Sequence, residues 1–320
     1  GKKVPYSIHI RIDATKFIRI SHSGDELNLV RIEAFRKKGV NEFWLTKEDF
    51  SHYMQVNSAV IQAATKKGSV QFQESKRAKL IRHACQVAYE NLKVAGIKEA
   101  SVAAAEDIIN HSLSVIDTST HVEGILETIK GGGPSSYKHA ASCALLCALM
   151  TKVMGWSTQK NITALVLGAF FHDIGMEEIP EAIREKDPRK LERQELATYQ
   201  QHPTIGAQKL ALIPNIPEEV IRIVAQHHEN VNGQGYPLRL LRSGITPMAR
   251  ILALVNEFCE YLSFAGTTTK NGVQILNILL YEKPALDEKS TSFALEMVLT
   301  HPDIAKAKME YSRETAKMVK

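Results

Sequence analysis

Residues 161–175 read NITALVLGAFFHDIG, an apolar stretch of helical character that closes on His172 and Asp173. An adjacent histidine and aspartate join a neutral nitrogen donor to a carboxylate that can bridge two cations. Further along, His227-His228-Glu229 adds two more nitrogen donors, followed by Gly233-Gln234-Gly235-Tyr236-Pro237. Helix-like sequence fills the interval, so the metal-binding potential of this chain sits at the ends of helices.

Working outward, almost everything after Pro134 reads helical. Apolar spacing predicts helices over 139–154, 161–172, 193–212, 217–228 and 247–263, with Pro217 and Pro247 where a first helical residue tolerates proline. The glycine-rich piece from Asn232 to Pro237 must be a loop or short ribbon. Gly131-Gly132-Gly133-Pro134 is the strongest break in the chain and marks a boundary or hinge. Before it, Leu80, Ile81, Ala84, Val87, Ala88 and Leu92 predict a helix over 74–95 that stops at Gly96, and a second spans 98–117. The first part differs. Tyr6, Ile8, Ile10 and Ile12 alternate, and Phe17, Ile18 and Ile20 resume the strand-like pattern before a turn at Ser23-Gly24-Asp25. Leu29, Ile32 and Phe35 then repeat at helical spacing up to Gly39. Phe43-Trp44-Leu45 makes a third short strand, and Thr46-Lys47-Glu48-Asp49 resembles a capping box. The expected fold is mainly α. A small α+β module (1–65), with surfaces suited to sensing or partner binding, precedes a helical connector (66–130) and a C-terminal helical bundle (131–320).

At 320 residues, 44% hydrophobic and 23% charged, the chain has the make-up of a soluble globular protein of roughly two domains. No apolar run approaches the roughly 20 residues of a membrane span, so no membrane insertion is expected. The opening Gly1-Lys2-Lys3-Val4-Pro5 lacks the apolar core of a signal peptide. Cys85, Cys143, Cys147 and Cys259 form no Cys-x-x-Cys pair and read as buried apolar residues of a reducing compartment, which points to the cytoplasm. The formal charge of +5 is mild. It fits an ordinary soluble surface or an anionic ligand, and nothing calls for DNA or RNA.

Five of the twelve histidines recur at helix ends: His139, His172, His202, His227 and His228. Ligands spaced by a helix plus a turn can converge inside a bundle. His83, His111 and His121 read instead as core histidines. The converging set is nitrogen-rich, with Asp173 as its carboxylate and no thiolate nearby. Such donors suit iron, manganese, nickel or zinc rather than calcium. A two-metal centre of this kind activates water and clamps phosphoryl oxygens, which makes a phosphoester the substrate class.

Residues 134 to about 285 resemble the HD-GYP subgroup of the HD superfamily of metal-dependent phosphohydrolases. The matching pieces are His139, His172-Asp173-Ile174-Gly175, His202-Pro203 with Gly206, His227-His228-Glu229, Gly233-Gln234-Gly235-Tyr236-Pro237, and Ile245 through Ala249-Arg250-Ile251-Leu252. The resemblance implies an HD-type helical bundle and hydrolysis of the bacterial messenger cyclic di-GMP to a linear dinucleotide. It implies a metal held by His139, His172 and Asn256, a second held by His202, His227 and His228, and Asp173 shared between them as the catalytic carboxylate. Iron is the first expectation for both ions.

The sequence also departs from that family. Asn256 stands where a second aspartate is expected, and Ser135 where three-metal members carry glutamate. Met176 replaces a lysine, Asn230 an arginine and Asn232 an aspartate, while Ala265-Gly266-Thr267 replaces Arg-Pro-Tyr. Arg250 and Lys270 either substitute for the lost cations or are ordinary structural ones. Tyr236 either faces substrate or packs its loop. A phosphodiesterase of low activity is therefore expected. The alternative is a metal-containing sensor or scaffold that binds the messenger and signals through a protein partner.

Overall fold

Ile8, Ile10 and Ile20 lie on the same side of a two-stranded ribbon and are buried there. The structure, a computed structural model, describes residues 3–13, 15–26, 28–40, 42–65, 74–113, 136–153 and 158–265. The chain divides into two units, residues 1–66 and 67–320.

In the first unit β1 (Ile8–Arg11) pairs antiparallel with β2 (Phe17–Ser21), Ile10 opposite Ile18 and Arg11 opposite Phe17. The Asp13 carboxylate accepts the amides of Thr15 and Lys16 at 2.9 and 2.8 Å, and this local bonding folds the chain back between the strands. The third strand expected at Phe43–Leu45 is reduced to one bridge. His9 and Trp44 exchange backbone hydrogen bonds of 2.9 and 2.8 Å, after which the chain turns into a helix. Tyr6, Phe35, Val40, Phe43 and Leu45 pack on the three isoleucines. Helix α1 (Leu29–Lys37) is capped by the Asn28 side chain on the Arg31 amide. Gly39 follows it with φ +83°, a conformation costly for any residue with a Cβ. Helix α2 (Lys47–Thr65) opens with the Asp49 amide on the Thr46 hydroxyl at 3.1 Å. That hydroxyl in turn donates to the Asp49 carboxylate at 2.9 Å.

In the second unit α3 (Glu74–Ala95) lies against α4 (Glu99–Leu113) and α5 (Ser136–Val153). Buried Ala84, Val87, Ala88 and Leu92 of α3 and Val102, Ala105, Ile108 and Ile109 of α4 supply the apolar contact. Helix α5 also packs on α6 (Gln159–Phe171) and α11 (Pro247–Ala265), and α10 (Glu218–Gln226) packs on α6, α9 (His202–Ala211) and α11. Both α5, from Ala140 to Ala148, and α6, from Ala164 to Phe171, are buried without a polar face, as expected of helices at the centre of a bundle. The short helices α7 (Glu181–Arg184) and α8 (Arg193–Tyr199) run between α6 and α9.

One expectation is corrected here. The continuous helix expected over 193–212 is two helices, α8 and α9, separated at Gln200-Gln201. The Gln200 amide turns back to the carbonyls of Leu196 and Thr198, and Pro203 in the first turn of α9 has no N–H to continue the ladder. The break makes His202 the first residue of a new helix. The glycine-rich hinge at 131–134 and the end of the 98–117 helix beyond Leu113 lie outside the described residues.

A 3-10 turn (Ile174–Glu178) follows Asp173 and rests directly on α9. A Cβ on Gly175 would stand 2.1 Å from the His202 carbonyl oxygen and 2.7 Å from the Gly206 amide, so two backbones meet there with no room for a side chain. Gly206 is less tight, its nearest contacts at 3.2 Å. Gly175→Ala should therefore cost about 1–3 kcal/mol and lower Tm by several degrees, with Gly206→Ala costing less. Thermal melts of the two variants side by side check this ordering.

Candidate metal centre

Four helix ends converge on one point. His139 lies in the first turn of α5, His172 and His227 close α6 and α10, and His202 opens α9. His172, His202 and His227 are fixed in the same manner. Each ring presents Nδ1 to the carbonyl three residues earlier, that of Ala169, Tyr199 and Val224, at 2.7, 2.8 and 2.7 Å. A carbonyl only accepts, so Nδ1 carries the proton and Nε2 turns its lone pair inward. The Nε2 atoms of His202 and His227 then face each other at 3.2 Å, as do those of His139 and His172. For His202 and His227, whose Nδ1 atoms both carry the proton, the two Nε2 lone pairs cannot satisfy one another. This donor set fits a cation.

Asp173, between α6 and the 3-10 turn, divides its carboxylate. Oδ2 lies 3.2 Å from His172 Nε2 and 3.9 Å from His139 Nε2, while Oδ1 lies 3.4 and 3.8 Å from the Nε2 atoms of His202 and His227. Asp173, His202, His227 and His228 have ligand atoms close enough to share one ion, and so do His139, Cys143 and His172. Asn256, in α11, brings its Oδ1 to 2.7 Å from His139 Nε2. All seven sequence-expected ligands thus meet.

Burial sets the protonation of these rings. Desolvation pushes His139 down to about 4, helped by neighbouring His172, and lowers His202, His227 and His228 as well. Neutral imidazole is the form that binds metal. Burial also acts to lower His172, but the Asp173 charge and hydrogen bond outweigh it and raise the ring. Asp173 itself stays well below the usual carboxylate range, because the surrounding histidines overcome the cost of burial.

Three contributors were not anticipated from the sequence. Cys143, one turn after His139, places its sulfur 3.7 Å from His139 Nε2. Burial raises this thiol well above its ordinary value, and the sequence reading places no sulfur beside these histidines. Glu260 accepts the Asn256 Nδ2 at 3.1 Å, which turns the amide oxygen toward His139. Burial, then Glu257 and Asp173, push the Glu260 carboxyl up to about 8. Glu229, buried, accepts the amides of Leu238 and Leu240 and pins the loop after the histidine pair. Cys143 and Glu260 each lie four residues after an expected ligand on the same helix, one turn along its face.

Tyr236 stacks on the His228 ring, centroids 4.5 Å apart and planes 19° apart, and its amide donates to the His228 carbonyl at 3.1 Å. Its contacts are those of a packed loop aromatic set against a metal-ligand candidate. Gly235 must be glycine, since a Cβ would lie 2.4 Å from the Asn230 amide nitrogen. The Asn230 and Asn232 side chains both accept the Gln234 amide, at 3.0 and 3.1 Å, so these departures build the turn. Arg250 sits in the first turn of α11. Lys270 and Thr267 lie outside the described residues.

Residues 127–281 match the family described as HD domain. The likeness is to its HD-GYP branch. Over 240 residues the chain is 26% identical to a cyclic di-GMP phosphodiesterase of Pseudomonas aeruginosa, covering 71% of this chain and 57% of that protein. It is 31% identical over 135 residues to the cyclic di-GMP phosphodiesterase response regulator RpfG of Xanthomonas campestris, covering 42% and 35%. With the 3'3'-cGAMP-specific phosphodiesterase 1 of Vibrio cholerae it shares 29% identity over 150 residues, covering 46% and 34%. The chain thus spans between about a third and somewhat over half of these relatives' lengths. Among solved structures, the HDG"Y"P protein Bd1817 of Bdellovibrio bacteriovorus superimposes with a TM-score of 0.73 at 18% identity, covering 93% of this chain and 95% of that one, which is a likeness of fold.

Two outcomes follow for the centre. In metal-free protein, the unfolded chain takes up protons below pH 6.5 that the buried rings of His139, His202, His227 and His228 refuse. Stability should therefore fall as pH drops from 6.5 toward 4. His172 runs oppositely, its contribution present below pH 6.5 and lost as pH rises through its elevated value, and one ring does not reverse four. Melting of chelator-treated protein at pH 7.5, 6 and 5 checks the slope. Separately, Glu260→Leu frees the Asn256 amide to rotate and should weaken metal binding about 10- to 100-fold, while Glu260→Gln keeps an acceptor oxygen and most of the affinity. Metal content after dialysis against graded chelator separates the two.

Proposed function

We propose that this protein is a metal-dependent phosphodiesterase of the HD-GYP type that opens cyclic di-GMP to a linear dinucleotide, slowly. The observation that supports this most is the division of the Asp173 carboxylate between the His139/His172 pair and the His202/His227 pair. In this reading His139, His172 and Asn256 hold one divalent ion, His202, His227 and His228 hold another, and Asp173 is shared. Two such ions supply a more acidic water and neutralise charge on a phosphodiester. Iron is our assignment for both, on the nitrogen-rich donor set, with manganese, nickel and zinc chemically compatible.

The chain's own residues do the rest. His172, His202 and His227 keep their ligand atoms aimed inward from helix ends, and the apolar surroundings exclude water from their far sides. Asp173 and His139 keep side-chain exposures of 28% and 20%, so substrate meets the centre on their side. Slow turnover follows from Met176, which offers no charge, and from Asn230 and Asn232, which are committed to their loop. The same observation favours a second reading, a metal-containing sensor that binds the messenger and passes the signal to a protein partner. Residues 1–65 would then serve as the sensing or docking module, 66–130 as connector and 131–320 as the metal domain, all in the cytoplasm.

Purified, metal-loaded protein should contain two ions per chain and convert cyclic di-GMP to the linear product at a low rate. Asp173→Ala should lose both ions and all turnover. Elemental analysis with product chromatography tests each point. Two retained ions in Asp173→Ala would sink the shared-carboxylate assignment, and saturable binding without any product would favour the sensor.

A further inference from the structure

The side of the centre that Asp173 faces is not flat. A cavity of about 340 Å³ opens there, lined by Asp173 and with Leu92, Phe170, Ile174 and Ile213 among its apolar walls. Its size suits one nucleoside, near the lower end of ligand pockets, and falls short of a whole cyclic dinucleotide. Helix α3 contributes a wall, through Tyr89, Leu92 and Lys93. This part of the chain lies outside the motifs that mark the metal centre.

The polar groups of the cavity are few and specific. Glu177 lines it from the 3-10 turn and is held by the Tyr89 hydroxyl, which donates to its Oε1 at 3.2 Å, with Arg184 Nη1 4.0 Å from Oε2. Lys93 and Lys209 line it as well, Lys209 paired with Glu178. A carboxylate only accepts hydrogen bonds. Guanine offers two adjacent donors on one edge, N1–H and the N2 amino group, and matches a carboxylate with both. Adenine offers one donor beside a bare acceptor nitrogen, which a carboxylate repels. The apolar walls suit the faces of a flat base, and the lysines suit the phosphates attached to it.

We propose that this cavity takes one guanine of a cyclic dinucleotide, with Glu177 reading its donor edge, Lys93 drawing in the phosphates, and the phosphodiester lying at Asp173. The proposal rests on the phosphodiesterase reading above and adds the cavity and the residues that would set its base preference. It also gives α3 a binding role, since Tyr89 positions Glu177 and Lys93 stands beside it.

The test compares cyclic di-GMP with cyclic di-AMP on the metal-loaded full chain by titration calorimetry, with product followed by chromatography. The wild type should prefer cyclic di-GMP about 10- to 100-fold, the range of a charge-assisted hydrogen-bond pair. Glu177→Gln should cut that preference to within about threefold, because its amide can pair with either base. Lys93→Glu should weaken both dinucleotides alike, and circular dichroism should show both variants folded, since both side chains are exposed. Equal affinity of the wild type for the two dinucleotides, or a preference unaltered in Glu177→Gln, overturns the guanine assignment and leaves the phosphodiesterase reading standing if cyclic di-GMP is still hydrolysed. Failure to bind either dinucleotide overturns both.

Discussion

Three imidazoles at three helix ends are each tied by Nδ1 to the carbonyl three residues earlier, and the rest of the second unit depends on that tie. A helix end leaves carbonyls without partners. Here the ring satisfies one of them and in doing so fixes its own tautomer and direction. Capping the backbone and aiming a ligand become a single act. Helix packing then only has to bring the ends together, which the apolar bodies of α5, α6, α10 and α11 do.

Much of this was legible in the sequence because helix periodicity and histidine position are local signals. His172 and His227 follow apolar runs, and the chain marks them by ending the runs there. The resemblance to HD-GYP proteins supplied Asn256, which the spacing of the histidines would not have joined to them. What escaped includes two neighbours one helical turn from an expected ligand. Glu260 matters because Asn256 lies one turn behind it, and Cys143 because His139 does. Both share the helical spacing, but a thiol and a carboxyl beside a ligand are not distinguished from ordinary helix residues by spacing alone. The break at Gln200-Gln201 was missed since both flanks carry helical spacing, and only Pro203 hinted at it. The strand expected at Phe43–Leu45 became one bridge because α2 begins at Lys47, leaving no length to pair.

The substitutions around the centre look different in three dimensions than in a row of letters. Read as letters, Asn230 and Asn232 are lost grips on substrate. In the fold they are the acceptors that shape the turn before Tyr236, and Glu229 pins the same loop from behind. The loop is thus built around a stacked His228–Tyr236 pair and held rigidly. These contacts place the loop beside the histidines without calling on any group that would touch substrate.

The pairing of His139 with Asn256 joins residues 117 apart in sequence. During synthesis at about 5–20 residues per second, His139 is joined to the chain roughly 6 to 23 s before Asn256. Through that interval α5 carries an inward-turned ring and an apolar surface with no α11 to cover them. The nascent chain therefore passes through a stage in which half of the centre is exposed to whatever ions and chaperones the cell offers, and the order of translation becomes part of how this centre is assembled.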